Sequence, residues 1–156
     1  MGKERLKKLE EIIGNRRIAV VGLGNRDRAD DGFGLRIAEA LKSEFPDRVF
    51  LETDGMEEIV DTINRREEIA LVIFVDTVSA NEKSGVILII EREEIEVATS
   101  SHKIPLKLYL SLLKKPSYLI GIQPKCLDFM KPVSREIEEG IQETTKVLST
   151  LLKNSL

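Results

Sequence analysis

A chain of 156 residues, 42% apolar and 33% charged, is long enough for a proper core and reads as a single globular domain spanning 1–156. Its net charge of −3 argues against nucleic acid as the main partner, and no apolar run approaches the length of a membrane span. One cysteine, Cys126, excludes an internal disulfide and a cysteine-based zinc cluster, and fits a reducing, cytoplasmic setting.

The opening residues Lys3, Glu4, Arg5, Lys7 and Lys8 are too charged for the apolar core of a signal peptide. Residues 3–13 read instead as an amphipathic helix, with Leu6, Leu9, Ile12 and Ile13 on one side. A buried strand is expected at 17–22. A helix over 31–44 follows, turning Phe33, Ile37, Ala38 and Leu41 inward. A second strand at 48–52 leads to a helix at 56–65 carrying Met56, Ile59, Val60 and Ile63, and a third strand runs from Ile69 to Val75 and ends at Asp76. This alternation implies parallel strands in a three-layer α/β/α sandwich of the hydrolase-like kind.

Only residues 77–85 separate Asp76 from the next apolar run, 86–90. A parallel crossover needs a dozen or more residues, so the fourth strand should be antiparallel. Residues 91–101 could then climb back along the sheet, since eleven residues span about 36 Å when extended. A descending helix should start near Ser101, tolerate Pro105 in its first turn and stop before Pro116. A fifth strand at 117–123 rises parallel to the first three. A last helix at 134–152 has Ser134 as N-cap and buries Ile137, Ile141, Leu148 and Leu151.

The chemistry concentrates after the first strand, in Gly22-Leu23-Gly24-Asn25-Arg26-Asp27-Arg28-Ala29-Asp30-Asp31-Gly32-Phe33-Gly34. The two early glycines allow a tight exit from the strand. Asp30 is placed to cap the helix, with Asp31 in its first turn; capping needs one acid, which frees the other. A dinucleotide site fits poorly, because Asp27 stands where the third glycine of that fingerprint belongs and two aspartates would repel a pyrophosphate. Asp31 follows the first strand, Asp76 ends the third, and His102 opens the descending helix. All three thus fall at the carboxyl edge of the parallel strands, where open α/β sheets bind ligands. Two carboxylates and an imidazole suit nickel, zinc or manganese and leave coordination positions open. Taken singly, each has an ordinary reading as a capping, loop or surface residue. Asp54 could be a further ligand, but a turn role beside Gly55 is the commoner one, and Cys126 after Pro124 and Lys125 reads as a loop filler.

The Gly-x-Gly-Asn opening with its Asp30-Asp31 pair resembles that of the hydrogenase maturation endopeptidases. Three later segments resemble the same family in the same order: Val72-Ile73-Phe74-Val75-Asp76, Ser100-Ser101-His102-Lys103-Ile104-Pro105-Leu106, and Gly121-Ile122-Gln123-Pro124-Lys125. Peptidyl-tRNA hydrolases share only the Gly-Leu-Gly-Asn strand end. The segment Glu52-Thr53-Asp54-Gly55-Met56 departs from the Asp-Gly-Gly-Thr often found in the family after the second strand. The resemblance implies an endopeptidase that removes the C-terminal extension from the precursor large subunit of a nickel–iron hydrogenase. It further implies that Asp31, Asp76 and His102 contact nickel carried by that substrate. A peptidyl-tRNA hydrolase-like enzyme, or a noncatalytic nucleotide- or metal-binding module, stands as the alternative.

Overall fold

The computed structural model describes residues 2–98 and 106–155. Its five-stranded sheet has β3 (Leu71–Thr77) at the centre, with β1 (Ile18–Gly22) and then β2 (Val49–Leu51) on one side, and β5 (Ser117–Ile122) and then β4 (Ile87–Glu91) on the other. All neighbours are parallel except β4, which runs antiparallel to β5. Successive side chains of a strand point to opposite faces, and the apolar residues obey that rule. Ile18, Val20, Leu71, Ile73 and Val75 enter one apolar cluster, while Ala19, Val21, Val72 and Phe74 enter the other.

On the first face lie α1 (Gly2–Ile13), α2 (Phe33–Lys42) and α6 (Arg135–Asn154), contributing Leu6, Leu9, Phe33, Ile37, Ile137 and Leu148. On the second lie α3 (Met56–Arg65), α4 (Arg92–Ala98) and α5 (Leu106–Leu112), contributing Met56, Ile59, Ile63, Ile95 and Leu110. This is the expected three-layer α/β/α sandwich with a mixed five-stranded sheet. Parallel strands covered on both faces read as continuous apolar runs, as β1 and β3 do. Among the described residues, no helix is long and apolar enough to cross a membrane.

Two polar fastenings fix the layers. Arg36 of α2 makes a bidentate pair with Glu138 of α6, at 2.6 and 2.8 Å. At the amino edge of the sheet, buried Arg48 donates to the Ile18 carbonyl at 3.0 Å, the Leu152 carbonyl at 2.9 Å and Ser155 Oγ at 2.5 Å. Burial, with Arg17 nearby, pushes that guanidinium below its ordinary value.

The chain departs from the sequence expectation in three places. Asp30 and Asp31 do not start α2; they lie in a short 3-10 turn, Ala29–Gly32, and neither caps the helix. Residues 92–98 coil into α4 instead of climbing extended, because burying Ile95 against the second face rewards a helix there. Ser134 does occupy the N-cap position of α6, but its hydroxyl donates to Asp30 and not to the helix. The expected helix start near Ser101 lies outside the described residues.

Hydrogen bonding to Arg36 holds the Glu138 carboxyl below its ordinary value. Its stabilising effect is therefore present above the unfolded carboxylate range and is lost as pH falls through the folded value. Both side chains are 40% exposed, so screening keeps the effect under about 1 kcal/mol. Denaturant titration of Glu138→Gln should show a loss of that size at neutral pH and none in acid. An equal loss at both pH values would contradict this account.

Candidate functional site

The carboxyl edge is built by close approach of backbone to backbone. Gly34, in the first turn of α2, sits so near the strand tips that a Cβ there would lie 2.1 Å from the Val75 carbonyl oxygen and 2.4 Å from that of Leu23. The turn carrying Asp30 and Asp31 is thereby pressed onto the ends of β1 and β3. Gly24 has φ +116, and a Cβ on it would meet the Asp31 carbonyl oxygen at 2.1 Å and Asp76 Oδ1 at 3.4 Å. Only glycine combines that backbone conformation with so little room.

The adjacent aspartates have different surroundings. Asp30 is fully buried, and its carboxylate accepts from the backbone N–H groups of Lys125, Cys126 and Ser134 and from the Ser134 hydroxyl, at 2.7–2.9 Å. Its own N–H donates to the Cys126 carbonyl at 3.0 Å. A carboxylate offers about four lone-pair sites, so four donors occupy it. Asp31, 4% exposed, accepts one bond on each oxygen from the described residues: the Asn25 N–H on Oδ2 and the Thr77 hydroxyl on Oδ1, both at 2.9 Å. That leaves it acceptor capacity for a cation or a donor.

Thr77 joins the two candidate acids. Its hydroxyl bonds Asp31, while its N–H donates to Asp76 Oδ1 at 2.8 Å. Asp31 and Asp76 thus converge on one residue, as their shared edge implied. His102, the third member of the expected set, lies outside the described residues. Among the described residues, no group of three His, Cys, Asp or Glu side chains forms a metal cage. Asp54 is exposed and accepts the Leu51 N–H at 3.0 Å, which is the turn role. Cys126 bonds Asp30 through its backbone, and its thiol is free of any disulfide.

Three participants escaped the sequence reading. Thr77 follows Asp76 directly, and a hydroxyl beside a strand-terminal acid was the available signal. Glu52, at the end of β2, accepts the Gly24 N–H at 2.9 Å and so supports the glycine turn from the departing loop segment. Gln123, after β5, accepts the Ala80 N–H at 2.7 Å, anchoring the loop between β3 and β4. That loop also bonds α6: the Ser84 hydroxyl donates to Glu136 at 2.7 Å and holds that carboxyl below its ordinary value. Chemically, the edge presents two buried carboxylates: Asp31 is oriented by the Asn25 N–H and the Thr77 hydroxyl, and Asp76 accepts the Thr77 N–H. Such an arrangement can complete the coordination of a cation brought to it, or accept a proton from an attacking water.

Comparison with known proteins agrees with this fold. The family model described as hydrogenase maturation protease matches residues 35–151, a span that includes Asp76 and His102 and begins just beyond Asp31. The hydrogenase 2 maturation protease of Escherichia coli K12 is 30% identical over 154 residues, covering 89% of this chain and 92% of that protein. The crystal structure of the NiFe hydrogenase maturation protease HycI from Thermococcus kodakarensis KOD1 superposes with a TM-score of 0.73 at 26% identity, covering 94% of this chain and 99% of that one. The E. coli hydrogenase maturating endopeptidase HybD superposes with a TM-score of 0.67 at 25% identity, covering 89% and 93%.

Removing the Asp30 carboxylate would strand three backbone N–H groups and a hydroxyl. Asp30→Ala should therefore cost roughly 3 kcal/mol or more in urea denaturation. Cys126→Ala keeps the bonded backbone and should stay within about 0.5 kcal/mol of wild type. Equal effects of the two would refute the assignment of Asp30 as the clamp.

Proposed function

This chain belongs to the hydrogenase maturation protease family and is a peptidase; from that premise we propose that it removes the C-terminal extension of a nickel-loaded precursor large subunit of a nickel–iron hydrogenase. The reading rests on one observation above the rest. Asp31 and Asp76 are buried at the carboxyl edge and share Thr77, and among the described residues Asp31 meets two donors where its neighbour Asp30 meets four.

In this reading Asp31, Asp76 and His102 recognise nickel already held by the precursor's cysteines. Two hard carboxylates and one imidazole, with no thiolate, bind nickel weakly alone; the soft cysteines of the precursor supply most of the affinity. The metal then serves as part of the substrate, and its contact with the three side chains aligns the neighbouring peptide bond. The attacking water is activated either by the substrate's nickel, which lowers its pKa, or by one of the two carboxylates as general base. Thr77 and Asn25 orient Asp31 by donating to Oδ1 and Oδ2 respectively.

Purified alone, the protein should be largely metal-free. Mixed with precursor, wild type should cut the nickel-loaded form and leave the nickel-free form intact. His102→Ala removes the chain's only imidazole and should cut neither, with its melting temperature unchanged. Equal cutting of nickel-free precursor by wild type, or full activity in His102→Ala, would overturn the mechanism. Asp54→Ala and Cys126→Ala should both cut nickel-loaded precursor normally; loss of cutting in either folded variant would redraw the site.

A further inference from the structure

Phe129 and Met130 are the most exposed large apolar side chains among the described residues, at 67% and 71%. They stand at the tip of the segment between β5 and α6, which has no regular structure yet is tightly held. Met130 donates its N–H to the Asp27 carbonyl at 2.7 Å, and Arg28 Nε donates to the Leu127 carbonyl at 3.3 Å. Asp30 grips Lys125, Cys126 and Ser134, as described above. All of these bonds run to residues 27–30, the same short loop that delivers Asp31.

The backbone at Met130 is left-handed, with φ 62. Glycine or asparagine is the residue such a position ordinarily selects, and methionine has no conformational advantage there. An apolar pair at a loop tip would normally turn inward; here the backbone is fixed and the side chains are held in solvent. Strain of this kind, kept where the surroundings enforce it, concentrates at ligand clamps.

We propose that Phe129 and Met130 form a docking ledge for the precursor polypeptide, against which an apolar side chain of the extended segment entering the site is seated. The inference rests on the peptidase reading of the Asp31–Asp76 edge. The occupant follows from continuity: ledge and acids hang on one loop, so a chain lying on the ledge is led to the carboxylates. Methionine and phenylalanine also suit the task, one adaptable and the other supplying a large apolar face.

The test compares wild type, Phe129→Leu, and the double variant Phe129→Ser with Met130→Asn, which keeps a residue tolerant of the left-handed backbone. Precursor affinity is read by titration and cutting by kcat and KM. In the double variant, affinity should weaken and KM rise by roughly tenfold or more, with kcat and melting temperature near wild type. Phe129→Leu, still apolar, should recover most of the loss. Unchanged affinity and KM in a double variant that cuts would overturn the ledge while leaving the peptidase reading intact. A wild type that binds precursor through the ledge but never cuts it would overturn the peptidase reading alone. A wild-type dimer that the double variant converts to monomer would also overturn the proposal, assigning the pair to self-association.

Discussion

A single buried carboxylate holds the functional end of this protein together. Asp30 lies in the turn after β1, yet its donors come from the chain after β5, the nearest of them 95 residues away in sequence. A buried charge is tolerable only when fully bonded, and four short bonds meet that condition. The bonds also work in reverse, since without Asp30 the N–H groups of Lys125, Cys126 and Ser134 would need other acceptors. Two loops that could move independently thus behave as one body, and Asp31 inherits its position from that body.

The neighbouring acids show how one dipeptide can meet two different surroundings. Both are buried and both are aspartate, so composition cannot tell them apart. The difference is the number of donors each meets among the described residues: four for Asp30, two for Asp31. Thr77 adds a neutral donor that orients Asp31 without contributing a charge. The glycines at 24 and 34 make this possible by letting the turn approach the strand tips closer than any side chain would permit.

Much of this was legible in the sequence because its signals are local. The apolar runs of β1 and β3 and the helical spacing of Met56, Ile59, Val60 and Ile63 specify their elements directly. The direction of β4 followed from the shortness of its connection, a limit set by chain length alone. The convergence of Asp31 and Asp76 followed from topology. Asp30 was misread as a helix cap because a cap is the local use of an aspartate, and its actual partners are remote. Ser134 stands at the N-cap as expected, but its hydroxyl is claimed by Asp30 before the helix could use it. The helix at 92–98 depends on a tertiary pocket for Ile95, which no local pattern discloses.

The remote side-chain bonds of Arg48 have a different consequence. It ties β1 to the last turn of α6 at the amino edge, opposite the acids. The frame is therefore locked at one pole by a cation bonded to carbonyls and at the other by an anion bonded to N–H groups. Because the first lock involves none of the loops at the working pole, those loops can be rewritten by evolution without unseating the strands. The segment Glu52–Asp54 lies at that other pole, where Glu52 accepts the Gly24 N–H and supports the glycine turn. A frame anchored at the far pole keeps its strands seated whatever side chains the loops at the acid pole carry.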